Sequence, residues 1–235
     1  MRKIIYKIYK KIFPDYQMKL DKLTKDCKSL LDIGCGDGSP IQSFSKRMYC
    51  VGIDLFEPSI IKSKERKIHN EYHLMSFENI LDKFKENSFD CVLASDFISH
   101  LEKEKGYELL KIMEKAAKKK VIIFTPNNFK PQEEVENPLG LFRSRWTVKD
   151  MKKKGYKVLG INGLKNLRGD CAKILFKPRL FWLIISSISQ YYTKYHPKKA
   201  FHLLCVKDRF YQNFNLENSE NSSLPKLFKA CSRNN

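Results

Sequence analysis

Apolar and polar positions along the chain alternate between two periods. Short runs of β-branched and other apolar residues fall near 29–33, 49–53, 71–75, 89–94 and 119–124. Between them lie longer stretches with helical spacing, over 39–47, 57–68, 77–84 and 104–117. Near-continuous apolar runs read as strands buried on both faces, and their alternation with helices predicts a doubly wound parallel sheet. Pro58 suits the first turn of the second helix. Further on, a helix over 147–154 precedes a sixth strand at 156–161, and 200–206 reads as a seventh strand containing His202.

The first strand ends in a loop with specific chemistry. Residues 30–38 read Leu-Leu-Asp-Ile-Gly-Cys-Gly-Asp-Gly. Gly34, Gly36 and Gly38 let backbone turn tightly and approach a ligand closely. Asp32 stands at the carboxyl end of the strand, where ligands of open α/β sheets bind. Val51-Gly52-Ile53-Asp54 then supplies a second carboxylate 18 residues past Gly36, suited to ribose hydroxyls. A dinucleotide fingerprint would need glycine at position 39, which is Ser39, and two carboxylates would repel a pyrophosphate. No G-K-[ST] follows, so the loop is not a P-loop.

Asp32-Ile33-Gly34-Cys35-Gly36-Asp37-Gly38, followed by Asp54, resembles the glycine motif of class I S-adenosylmethionine-dependent methyltransferases. Asn87–Ser95, His100-Leu101 and Val121–Asn127 continue the likeness through the fourth and fifth strands. The resemblance implies a Rossmann-like α/β fold: a seven-stranded, mostly parallel sheet with its last strand antiparallel and helices on both faces. It also implies that S-adenosylmethionine is the cofactor. Asp32 and the Gly34–Cys35–Gly36 backbone would hold its methionine portion, with Ser95 beside the carboxylate and amine. Asp54 would accept from both ribose hydroxyls and Leu55 would lie on the adenine. Ser76 stands where many members carry an adenine-binding acid, with the Phe77 backbone beside it. His100 and Asp96 are the candidate catalytic residues, His100 as a general base.

Pro131-Gln132, Asn137-Pro138, Ser144-Arg145-Trp146, Gly155-Tyr156 and Leu167-Arg168-Gly169 are similar to a methyltransferase type 11-like branch found in archaea and bacteria. Members of that branch commonly have a histidine before the Ser-x-Trp, where this chain has Phe142-Arg143.

Composition then bounds the partners. The formal net charge of +19 is uneven: +6 over 1–49, −4 over 50–104 and +17 over 105–235. Such a field favours an anionic acceptor, which could be a small molecule, a glycan or a lipid-linked substrate. Lys outnumbers Arg by 36 to 9, which argues against base-reading of nucleic acid and keeps an RNA methyltransferase as the alternative. A non-catalytic module that keeps the fold is a third class. No [DNS]-P-P-[YFW] turn follows the fourth strand, no proline–cysteine pair points to pyrimidine methylation, and no metal-ligand cluster stands out. Metal-free transfer is expected. Seven scattered cysteines without C-x-x-C spacing imply a reducing, cytoplasmic setting.

The domain organisation divides accordingly. Residues 1–28 form a basic helical cap, with Ile4, Ile5, Ile8, Ile12 and Phe13 on one face of 1–13. Residues 29–212 form the methyltransferase domain, with substrate-side insertions at 127–146 and 163–199, and 213–235 is a polar tail. Leu180–Ile188 is too short to span a bilayer. It reads as a helix packed over the pocket, with a peripheral contact at the inner membrane face as the alternative for 1–13 and 180–192.

Overall fold

The computed structural model describes residues 13, 15–127, 138–169 and 172–209. The expected helix over 1–13 lies outside those residues but for Phe13, as do the tail after 212 and half of the first insertion, residues 128–137. Seven strands form one sheet: β1 (Ser29–Ile33), β2 (Tyr49–Asp54), β3 (Glu71–Leu74), β4 (Phe89–Ser95), β5 (Ala117–Pro126), β6 (Lys157–Leu164) and β7 (Ala200–Asp208). Their spatial order is β3-β2-β1-β4-β5-β7-β6. The first five are parallel, and β7 runs antiparallel to both β5 and β6, as the sequence predicts. Order reverses between β1 and β4, so the crevice beyond their carboxyl ends is the expected ligand site.

Alternate residues of each central strand feed opposite faces. Leu31, Ile33, Val92, Ala94, Val121 and Ile123 join one core with helices α4 (Lys103–Ala116) and α5 (Val148–Lys153). Leu30, Cys91, Leu93, Ile122 and Phe124 join the other, beneath α1 (Tyr16–Leu23). In α4, Gly106, Leu109, Leu110, Met113 and Ala116 form the buried stripe that helical spacing demands. A Cβ on Gly106 would stand 2.2 Å from Trp146 Cζ2, so the missing side chain makes room for that indole. Trp146 is fully buried and donates to the Ile98 carbonyl at 3.2 Å. Truncating a side chain buried this well costs about 3–5 kcal/mol. Immediately after it, Thr147 and Asp150 form a reciprocal capping box that starts α5.

Three expected helices differ in extent. The stretch 39–47 forms turns and one 3₁₀ turn at Ser45–Arg47, not an α-helix. Ser39, Ser43 and Ser45 are weak helix formers, and Ser39 and Ser45 are buried, with the Ser39 side chain committed to the strand beneath. Helix α2 (Glu57–Glu65) stops short of 68, where Lys67 takes a positive φ of 52°. The 77–84 stretch is a 3₁₀ turn followed by one α turn, α3 (Ile80–Lys83). Helix α6 (Arg179–Tyr195) lies against β6 at the far edge of the sheet. None of its residues lines the cavities described below, which corrects the expectation of a helix over the pocket.

Candidate active site

Two cavities open at the carboxyl ends of β1, β2 and β4, and they share Gly34, Gly36 and Asp96. The larger, about 370 Å³, is lined by Asp54, Leu55, Ser76, Phe77, His100 and Arg143 among others. The smaller, about 320 Å³, lies over Asp32, Cys35, Ser39 and Ser95, under a roof that includes Tyr16. Every residue expected to bind the cofactor lines one cavity or the other, so residues as far apart in the chain as Asp32 and Ser95 come together.

The glycines explain the shape. Gly34 takes φ +67°, and a Cβ there would lie 2.2 Å from the Phe97 ring. Gly36 takes φ +55° with nothing within 4 Å of where its Cβ would stand. Gly34 is thus packed and Gly36 faces open space, a cradle against which a ligand can lie. The loop is pinned by Asp54, whose Oδ2 accepts from the Gly36 amide at 2.9 Å and whose Oδ1 accepts from the Phe56 amide at 2.8 Å. Carboxylate oxygens have further lone pairs, so both retain capacity for ribose hydroxyls.

Beneath the loop, Asp32 is 1% exposed. Its Oδ2 accepts from Ser39 Oγ at 2.5 Å and contacts His69 Nε2 at 3.0 Å. This buried cluster ties the floor of the smaller cavity to the turn before β3. Gly52, beside Asp32 in the sheet, makes room for it, since a Cβ would come within 3.0 Å of both Cys35 Sγ and His69 Nδ1. The Cys35 side chain is therefore turned inward, and burial raises its thiol pKa well above the ordinary range. Its backbone alone faces the cavity.

On the opposite wall, Asp96 adopts φ +53°, a left-handed conformation that Asp tolerates at a cost, with its amide donating to the Phe124 carbonyl at 2.8 Å. Its side chain is exposed to the open cavities, and the protein wall crowded around it raises its carboxyl pKa to about 7. Burial lowers the His100 pKa below its usual value. His100 Nδ1 lies 3.2 Å from the Leu141 carbonyl, an acceptor only, so Nδ1 carries the proton and Nε2 is the basic nitrogen of the neutral ring. The Phe142 ring stacks on this imidazole at 5.1 Å. His202 lies in β7, stacks on Phe124 at 4.6 Å and lines neither cavity, in keeping with a structural role.

Several site residues escape sequence reasoning. Tyr16 donates to Ser95 Oγ at 3.2 Å and stacks on Phe124 at 3.8 Å, closing the smaller cavity from α1. Burial raises its hydroxyl pKa well above 10, so it stays a donor. Glu78 lines the larger cavity, hydrogen-bonded to Ser76 and paired with Lys105 at 3.0 Å. It puts a carboxylate two residues past the position where Ser76 departs from the family pattern. Arg143 lines the same cavity and has no ion-pair partner among the described residues. Tyr16 lies outside every motif, and Arg143 is marked in the sequence only as part of Phe142-Arg143, where the similar branch commonly carries a histidine.

Residues 31–125 match the family profile of a methyltransferase domain. An uncharacterized protein of Methanocaldococcus jannaschii is 26% identical over 189 residues, covering 77% of this chain and 76% of that protein. Among solved structures, a SAM-dependent methyltransferase from Archaeoglobus fulgidus has a TM-score of 0.51 at 17% identity, covering 86% of this chain and 99% of its own. The methyltransferase domain of bacterial CtHen1-C has a TM-score of 0.52 at 16% identity, over 83% of this chain and 97% of that one. The two structures share the fold, and the matched residues are those that build the glycine loop, Asp54 and the wall after β4. Residues 31–125 thus match a methyltransferase domain, and the sheet has the fold of the S-adenosylmethionine-dependent methyltransferases to which the chain is similar.

Proposed function

We propose that the protein transfers the methyl group of S-adenosylmethionine to an oxygen, nitrogen or carbon nucleophile on an anionic small-molecule, glycan or lipid-linked acceptor, without a metal. The observation that carries this reading is the wall where Asp96, His100 and Arg143 stand together, facing the cradle formed by Gly36 and Asp54. The residues fit the cofactor: Asp54 offers oxygens to a ribose diol, Leu55 and Phe77 offer apolar surface to adenine, and Tyr16 and Ser95 offer hydroxyls to a carboxylate tail. When bound, the cofactor supplies an electrophilic sulfonium methyl.

The chain's task is then to position the acceptor and manage one proton. Arg143 would pair with the acceptor's anionic group and offset the carboxylates Asp54, Glu78, Asp96 and Glu102 that line the same cavity. His100, neutral near pH 7 with Nε2 as its basic nitrogen, and Asp96, with a carboxyl pKa near neutrality, are both suited to accept the acceptor's proton. Lys105 is less available, because Glu78 and Glu108 hold its ammonium at 3.0 and 2.9 Å. The test is a transfer assay with radiolabelled S-adenosylmethionine against carboxylated and phosphorylated sugars and lipid-linked sugars, each beside its neutral counterpart. Preference for the anionic member of each pair, reduced in Arg143→Gln, is expected. Equal transfer to neutral acceptors would refute the assignment of acceptor class.

A further inference from the structure

Helix α6 is mounted with its polar side inward. Ser186 and Thr193 are fully buried. Ser189 Oγ accepts from the Leu164 amide at 3.0 Å, and Gln190 bridges the Gly163 amide at 3.1 Å and the Gly160 carbonyl at 2.8 Å. Two glycines permit this approach: a Cβ on Gly160 or Gly163 would lie 2.1 Å from the carbonyl oxygen of Thr193 or Ser186, respectively. The helix thus satisfies the free edge of β6 with side-chain hydrogen bonds instead of burying an apolar stripe against it.

Its apolar residues consequently face outward. Leu180 is 70% exposed, Phe181 53%, Ile184 42%, Ile188 53% and Tyr195 71%. At 100° per residue these five fall within a stripe roughly 100° wide, the ordinary core-facing arc of an amphipathic helix turned the other way. Leu175 and Phe176 extend the patch beyond the helix start. A contiguous exposed apolar patch of this kind marks an interaction surface.

The surrounding charge identifies the partner. Residues 173–199 carry six cations (Lys173, Lys177, Arg179, Lys194, Lys198 and Lys199) and no Asp or Glu. Among the described residues, no ion pair engages any of them. An apolar stripe rimmed by cations alone complements a surface with an anionic face over a hydrocarbon interior. We propose that α6 and the segment leading into it dock the protein on an anionic lipid bilayer, with the helix lying in the interfacial plane. No helix among the described residues is long and apolar enough to cross a membrane. Phe13, whose ring meets Tyr191 of α6 at 6.1 Å, lies three residues before Tyr16, so the docked surface borders the smaller cavity. The proposal stands independently of the acceptor assignment, because its readout is binding.

The test is flotation of the full chain with vesicles of phosphatidylcholine alone or mixed with phosphatidylglycerol, at low and high salt. The expected result is a bound fraction at least tenfold higher on the anionic vesicles, falling as salt is raised. Leu180→Ser/Phe181→Ser/Ile188→Ser should lower it at least tenfold with the melting temperature retained, since all three side chains are exposed. Lys177→Glu/Arg179→Glu/Lys198→Glu should do the same on anionic vesicles only. Wild-type protein that stays in solution with anionic vesicles overturns the proposal. So does a triple-serine variant that floats like wild type, which would move the binding to another segment such as residues 1–12. Sedimentation showing a wild-type dimer that the triple-serine variant dissociates, without flotation, would give the face to a second copy and overturn it equally.

Discussion

Asp54 carries two duties that one substitution can separate. Its oxygens accept from the Gly36 and Phe56 amides at 2.9 and 2.8 Å, and the same oxygens face the cavity where a ribose would lie. In Asp54→Ala both amides lose a charged acceptor. Hydrogen bonds to charged groups contribute about 1.5–3 kcal/mol each, and half-exposure with water as a substitute puts the combined loss near 2 kcal/mol. For a chain of this size that lowers Tm by about 4–8 °C. Cofactor affinity should fall further, because two ribose hydroxyls lose their acceptor and the cradle loosens. A loss of about 3 kcal/mol corresponds to roughly a hundredfold in Kd. The assay pairs calorimetry with S-adenosylhomocysteine and a thermal melt of the ligand-free protein. Affinity within threefold of wild type would remove Asp54 from the ribose site. A hundredfold affinity loss with an unchanged Tm would refute the loop-pinning half of the argument.

Other consequences are equally specific. Gly106→Ala places a methyl 2.2 Å from Trp146 Cζ2, and overpacking of this kind should cost about 1–3 kcal/mol, read as a lowered urea midpoint at unchanged m. Asp96 is raised to about 7 when folded, so between its unfolded value of about 4 and 7 the native state holds the extra proton, and ligand-free stability should fall as pH rises through that window. Asp96→Asn should flatten this slope in melts from pH 4 to 8, and an unchanged slope would exclude the residue as its source. If Asp96 also serves as base, turnover should rise through pH 7 in wild type and in His100→Gln but not in Asp96→Asn. Arg143→Gln should raise the acceptor KM about tenfold while leaving S-adenosylhomocysteine affinity unchanged, and a matching loss of cofactor affinity would argue for a role in folding the wall instead.

Much of this molecule is written in local pattern. Most strand positions follow from apolar runs, because a parallel strand covered on both faces must be apolar throughout; β3, Glu71-Tyr72-His73-Leu74 at the sheet edge, is half polar and has no buried residue. The glycine loop and Asp54 are legible because their chemistry is confined to a few neighbouring residues: positive φ at Gly34 and Gly36 needs glycine whatever surrounds them. The stretch 39–47 could not be judged that way, since Ser39 spends its hydroxyl on Asp32, a contact that exists only once the strand is in place. His69 on Asp32, Tyr16 on Ser95 and Arg143 beside His100 join residues dozens of positions apart, and sequence spacing carries no information about such meetings. Helix α6 marks the boundary most sharply. Its period of 3.6 establishes that the segment is amphipathic, but not which side faces the protein. That was decided by Gly160 and Gly163, which let the polar side approach the backbone of β6 and left the apolar side outward.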